Sequence, residues 1–424
     1  MEKFCKLSNE YMAPAREYMF AYNLYYGFCK SEEKLRRQIE EDFFYDIDKA
    51  DQEKEKIDVV YALTNKYLLK DCPVQLDKTL VYDNMDDESR EVMKEYVASK
   101  FATKAQLYDV VMKILHEAYY FLNKPFWGDE QPSVDEFEML AMMIAPFMAK
   151  MGVDVGRITK ENPDDEDMYF YLNKDFKTVL EQYNQKCYDD ESLNLYSVHR
   201  KQADLENPLL ILDDTLVRCD RLATGKIIVP EDIVYIGNCA FDSCDKVVEV
   251  CLPDSTVCLE YGCFYNCQSL EKIVLPESIK FLNKEVFDSC TSLKKIEIPT
   301  EVEELPMGIF KGCKNLCELK YSKITFLGHE SFWGTGFKTF TIPEGVKALY
   351  DYVFNDCEKL ETIYVPSTVK TIGERALACC PRLRKIIFNG TAEEWNAIEK
   401  DDSWNFESEN AVLSFKAKTK EYEG

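Results

Sequence analysis

The chain has 424 residues, 46% of them apolar and 13% aromatic, too rich in core-forming side chains for disorder and long enough for roughly two to three domains. Its 77 acidic residues exceed its 52 basic ones, giving a net charge of −25, which argues against a nucleic-acid binder or a protein docking on an anionic membrane. No run reaches the roughly 18–20 apolar residues of a membrane span, and the opening MEKFCKLSNE lacks the apolar core of a secretory signal.

The cysteine and histidine content narrows the chemistry further. Seventeen cysteines, an odd number without an export signal, fit a reducing compartment with thiols serving as small hydrophobes. The expected location is cytoplasmic. Three histidines, His116, His199 and His329, lie too far apart in sequence to suggest a His-based metal site or a Ser/His or Cys/His nucleophile. No phosphate-cradling, nucleophile-elbow or dinucleotide glycine motif occurs. No catalytic, cofactor or metal residue is therefore assigned, and no cofactor is expected.

In chain order, residues 1–187 hold no repeat, and segments near 10–29, 31–50, 52–70, 86–101, 103–123, 133–151 and 163–186 read as helices. Ser133 to Glu136 forms a capping box. Asn162-Pro163 followed by four acidic residues supplies a cap, a first-turn proline and dipole-matched charge. Gly152 is a terminator, and Leu107, Val110, Val111, Ile114, Leu115 and Ala118 form an apolar stripe. The expectation is an all-α domain over 1–187 that closes its own core.

Candidate sites in this half are few. Asp83 to Glu88 lacks the glycine and ligand spacing of a calcium loop and reads as a charged helix start. Glu40, Glu41, Asp42, Asp46 and Asp48 read as a solvated helix face, and His116 as a half-buried histidine beside the stripe. Met139, Met142, Met143, Met148 and Met151 around Pro146 read as core packing, with a pliable partner groove as the alternative. Residues 188–209 are polar and form a linker or capping segment.

From about residue 210 the sequence is periodic. Pro230, Pro253, Pro276 and Pro299 are 23 residues apart, as are Pro343 and Pro366. The 44 residues from Pro299 to Pro343 are two units, one short by two, with Ser322 in the proline slot. Eleven residues after each proline stands Phe241, Phe264, Phe287, Phe310, Phe354 or Leu377, and fourteen after stands Cys244, Cys267, Cys290, Cys313, Cys357 or Cys380. Two further apolar slots follow, represented by Leu270 and Ile273. Chance does not keep five slots in step over six units.

Each unit ends in a strand-like tail such as Leu270 to Pro276, closed by a proline where no ladder N–H is needed. One short strand per 23 residues cannot bury its own apolar side, so the units must stack. At about 4.8 Å per step, roughly seven rungs make a rod about 30–35 Å long, with a Phe, a Cys and a Leu/Ile column inside. The cysteine column reads as a small weakly polar filler of the bend, since paired zinc spacings are absent.

These slots resemble the leucine-rich repeats of the BspA-like, or Treponema pallidum, type. Ile-Gly-Asn-Cys-Ala-Phe-Asp-Ser-Cys (236–244) and Val-Lys-Thr-Ile-Gly-Glu-Arg-Ala-Leu-Ala-Cys (369–379) sit close to its consensus. The resemblance covers about 210–418. It implies repeats over 210–388 and a C-terminal cap over 389–424, in which a Trp-bearing helix around 392–398 covers the last rung and 411–415 adds a strand. Family members are often exported surface proteins.

In such a stack, residues flanking the buried strand positions face the concave side. These are Glu249, with Val248 and Cys251; Lys272 and Val274; Lys295 and Glu297; Glu318 and Lys320; Thr339 and Thr341; Thr362 and Tyr364; Lys385 and Ile387. The expected fold is thus α+β and multidomain, helices followed by a solenoid with one short parallel strand per rung. The expected function is non-enzymatic protein–protein interaction through that face, with the helical domain as a second contact or effector. The competing expectations are a helical enzyme or toxin-like effector targeted by the repeats, and a surface adhesin without its leader.

Overall fold

A computed structural model describes residues 58–76, 86–122, 141, 145, 148–149, 152–159, 169–189 and 207–416. The chain divides into two compact units, Met1–Lys201 and Gln202–Gly424.

In the first unit, residues 58–67 are helical, followed by helices Asp87–Lys100 and Lys104–Leu122. On the last, Val111, Ile114, Leu115 and Ala118 are fully buried, the i, i+3, i+4, i+7 stripe of a core-facing helix. Tyr108 joins that buried face and meets the ring of Phe176 edge-on, with centroids 5.2 Å apart. Asp86 caps the helix Asp87–Lys100, its Oδ1 accepting from Ser89 N–H at 2.7 Å, so the acidic run there starts a helix. Gly152 takes φ +79°, its N–H donates to Ala149 O, and Val153 N–H donates to Met148 O, a Schellman stop.

Segment 163–186 departs from the helical expectation. Tyr169–Leu172 is a strand, paired antiparallel with Gly156–Thr159, and helix begins only at Lys174 (Lys174–Asp189). The run Tyr-Phe-Tyr-Leu favours a pleated, aromatic-rich pairing over a helix. Asn173 then starts the helix, its Oδ1 accepting from Asp175 N–H at 2.9 Å. Among the described residues the unit is therefore helical with one two-stranded ribbon. Ser133–Glu136, Asn162–Asp167, the carboxylates from Glu40 to Asp48, and four of the five methionines lie outside the described residues; Met148 is fully buried.

The second unit is a solenoid of about nine turns. Its longer strands are Gly225–Ile228, Val247–Cys251, Lys272–Val274, Lys295–Glu297, Glu318–Lys320, Thr339–Thr341, Thr362–Pro366, Lys385–Asn389 and Val412–Phe415, and every pairing among them is parallel. A second column of two-residue strands runs from Tyr235–Ile236 to Glu399–Lys400. Proline spacing implied seven rungs because the first and last strands lie outside the proline-to-proline units. At about 4.8 Å per step, nine strands extend about 38 Å.

Both ends of the stack are finished by other elements. Leu209–Leu212 pairs antiparallel with Thr215–Cys219, which in turn pairs parallel with Tyr235–Ile236. At the other end, Thr391 caps the helix Ala392–Asn396 in a full capping box with Glu394, and buried Trp395 packs edge-on against Phe388 and Trp404.

The interior is a continuous dry seam. Phe241, Phe264, Phe287, Phe310, Phe332 and Phe354 are fully buried, and successive rings stand 4.9–5.8 Å apart, most of them nearly parallel. The cysteine column has a second role beyond filling space. Cys267, Cys290, Cys313, Cys357 and Cys380 each direct Sγ at the carbonyl of the phenylalanine one rung earlier, at 3.0–3.2 Å. A thiol is thus a weak donor placed against a buried backbone acceptor. In the short rung Thr335 stands in this slot, with Oγ1 donating to Phe332 O at 2.9 Å.

Two left-handed positions bracket each phenylalanine of the column and Leu377, which takes its place in the last rung. Cys239, Glu285, Glu330, Tyr352 and Arg375 hold the earlier one, and Ser243, Asn266, Ser289, Asp356 and Cys379 the later one, with φ between 48° and 60°. Glycine fills the remaining copies, including Gly262, Gly308, Gly312 and Gly334. These bends let each coil return to the strand face in 23 residues. The short rung compensates its missing residues with bulk: Phe337 and Phe340 replace the usual Leu and Ile and pack with Phe332 and Phe354.

Candidate protein-binding face

Register fixes which side chains share a column. Along the longer strands the inward position is Ile227, Val250, Ile273, Ile296, Leu319, Phe340, Ile363, Ile386 and Leu413, and all but Leu319 and Leu413 are buried. Strand alternation sends the residues on either side of it outward. The first outward column reads Lys226, Glu249, Lys272, then Lys295, Glu318, then Thr339, Thr362, Lys385, Val412. The second reads Ile228, Cys251, Val274, then Glu297, Lys320, then Thr341, Tyr364, Ile387, Ser414. Fourteen of the fifteen residues singled out from the sequence sit in these columns; Val248 falls at a register shift and does not.

The face has a charged ladder and two apolar ends. Glu249 lies between Lys226 Nζ at 3.2 Å and Lys272 Nζ at 2.8 Å, and Cys251 Sγ stands 3.7 Å from the same carboxylate. Hydrogen bonds from Lys272 and then Lys226 hold the Glu249 carboxyl below its ordinary pKa, and Glu249 raises that of Lys226. Ile228 and Val274 are 69% and 66% exposed on either side of Cys251. Toward the other end Tyr364 and Ile387 are half-buried, and the Lys416 ammonium lies 5.7 Å from the Tyr364 ring centroid.

Proline spacing passed over Lys226 and Ile228, whose strand precedes Pro230, and Val412 in the final strand. The signal was present: Lys226-Ile-Ile-Val-Pro230 repeats the strand-plus-proline tail. Of the candidates in the helical half, Asp86 is a helix cap and His116 lies on the helix Lys104–Leu122. Among the described residues, no group of three or more His, Cys, Asp or Glu is placed to hold a metal ion, and no helix is long and apolar enough to cross a membrane.

The family model for the BspA type leucine-rich repeat region matches in six copies, over 218–335 and 282–398. Residues 218–398 are BspA-type leucine-rich repeats. Solved structures similar to this chain include the Treponema pallidum leucine-rich repeat protein, 20% identical, covering 45% of this chain and 91% of that one at a TM-score of 0.38. A leucine-rich cell surface protein from Faecalibacterium prausnitzii is 24% identical over 42% of this chain, with a TM-score of 0.29; the match spans 63% of that protein's length. A leucine-rich repeat protein from Bacteroides ovatus is 18% identical, covering 47% of this chain and 71% of that one at a TM-score of 0.30. A search of curated proteins returned no match. The BspA-type repeats account for the array alone and leave the helical unit unassigned.

Proposed function

We propose that the array is a non-enzymatic protein-binding module, that its longer-strand face is the contact surface, and that the helical unit provides a second contact or an effector. Leucine-rich repeats of this family serve generally in protein–protein interaction, which supports the coarse reading. The finer one rests on a single observation: Ile228 and Val274 stand two-thirds exposed on strands whose alternate residues are locked into the core. Exposed aliphatic side chains on a rigid ladder, beside a fixed charge network, suit a partner better than open water. We include a cytoplasmic location in the proposal, since the column thiols work as reduced S–H donors; cell fractionation tests it.

Affinity capture with the full chain tests the face. The Ile228→Asp/Val274→Asp variant should lose a partner that the wild type and a turn-side Arg382→Glu variant retain. Equal retention by all three proteins would move the binding assignment to another surface.

A further inference from the structure

Granting the strand face as the contact surface, we infer that it takes an acidic, extended peptide segment with apolar residues toward its ends, lying across the strands. The inference deepens that reading and depends on it.

Charge supplies the first argument. The chain as a whole carries 77 acidic against 52 basic residues, yet the two outward columns carry five lysines against three glutamates. The sign inverts where the strands are exposed. Two of the three glutamates are also already engaged. Glu249 is shared by two lysines, and Glu318 lies opposite Lys295 in register and 3.9 Å from Lys320 Nζ. Lys385 is flanked in register by Thr362 and Val412, neither of which carries charge. Within a Debye length of about 8 Å, this local surplus outweighs the distant acidity of the chain. A carboxylate-bearing segment meets donors here and repulsion over the acidic remainder.

The order of side chains supplies the second argument. Apolar residues cluster at Ile228 to Val274 and again at Tyr364 and Ile387, with charged and hydroxyl residues between them. Seven steps of about 4.8 Å separate Ile228 from Ile387, about 34 Å, which an extended chain covers in about ten residues at 3.3–3.4 Å each. The surplus lysines, Lys226 and Lys272 around Glu249 and Lys385 beyond the threonines, stand beside those apolar ends, so the matching peptide pairs acidic with apolar residues at each end and is neutral between them. A nucleic acid fits less well, because its evenly spaced phosphates would meet Glu297 and Glu318 in the middle of the path, where a peptide can be uncharged.

Panning a random twelve-residue phage-display library on the immobilised full chain tests the inference, with selected peptides synthesised and their Kd measured by fluorescence anisotropy. The selected pool should be richer in Asp and Glu than the starting library, with apolar residues near both ends. Selected peptides should bind Lys295→Glu/Lys385→Glu and Ile228→Asp/Val274→Asp at least tenfold more weakly, and Arg382→Glu within twofold of wild type. Peptides in which Asp and Glu are exchanged for Lys should recover binding on the Lys295→Glu/Lys385→Glu protein. Neutral or basic peptides that still lose affinity on the face variants would overturn the acidic assignment and leave the face standing. Peptides indifferent to the face variants would overturn both, and a library with no enrichment would overturn the peptide assignment. Matching thermal melts of the variants, all at exposed or half-exposed positions, separate binding from folding.

Discussion

Truncating Phe287 to alanine tests the stacked-column architecture most directly. The ring is fully buried and lies between Phe264 at 5.5 Å and Phe310 at 5.8 Å, within 8° of parallel to both. Burial alone puts Phe→Ala at about 3–5 kcal/mol. Two features favour the upper end. Both stacking partners are lost together, each pair being worth about 0.5–1.5 kcal/mol beyond area. The void also cannot close, because Phe264 N–H to Val286 O and Phe287 N–H to Ile309 O, both 3.0 Å, hold the rungs apart. The expected loss is about 4–5 kcal/mol. At roughly 2–4 °C per kcal/mol for a unit of this size, that is a fall in Tm of about 10–15 °C. Guanidinium denaturation of the full chain, followed by far-UV circular dichroism and tryptophan fluorescence, measures it. Because each rung touches only its neighbours, an interior defect should also broaden the transition. The paired control is Lys295→Ala, exposed on the strand face, which should stay within about 0.5 kcal/mol of wild type. A Phe287→Ala loss below about 1 kcal/mol would refute the column.

Three further outcomes follow from named contacts. Gly336→Ala should destabilise by about 1–3 kcal/mol through overpacking, because its Cβ would fall 2.5 Å from Lys314 O in the shortened rung; an unchanged Tm would refute the tight turn. Asp288, with its pKa raised to about 6 by burial and by Glu285 and Glu330 against the opposing Ser289 hydroxyl and Lys311, binds its proton more tightly folded than unfolded. Its stabilising contribution is present below about pH 4 and lost as pH rises through 6, so Asp288→Asn should gain up to about 3 kcal/mol over wild type by pH 7.5 and almost nothing at pH 4, as read from urea melts. Iodoacetamide on the native chain should modify exposed Cys317 first among the described thiols, while Cys290 and Cys313, whose pKa burial raises, react only after unfolding; mass spectrometry of the digest distinguishes them.

The array was legible in the sequence because packing repeats a steric demand once per rung. A slot between two phenylalanine rings accepts another flat ring, so Phe264, Phe287 and Phe310 recur at 23-residue spacing. The left-handed slots stayed hidden. Their occupants, Glu285, Tyr352 and Arg375 among them, share no side-chain chemistry, since backbone conformation rather than packing defines the position. The thiol-to-carbonyl ladder stayed hidden for a related reason: spacing shows that a cysteine recurs, while its acceptor lies 26 residues earlier and only the coil brings the two together. In the helical unit, the apolar period identified the helix Lys104–Leu122, while the aromatic run Tyr169–Leu172, read as part of a helix over 163–186, pairs as a strand.

Nine copies of one strand in a single chain allow the inward and outward positions to be compared under the same backbone. The inward position accepts only Ile, Val, Leu or Phe, because any polar atom there would lose its water without gaining a partner. The outward positions accept lysine, glutamate, threonine, isoleucine and tyrosine, so the fold makes no demand on them. Their order is therefore informative in a way that the core is not. Folding does not require Ile228 and Val274 to be apolar where they stand mostly in water, nor Glu249 to sit between two lysines when Thr339 and Thr362 fill the same column elsewhere. An arrangement that the scaffold leaves free, yet that places apolar side chains at both ends of a net-basic strip on an acidic protein, is what the proposed contact surface accounts for.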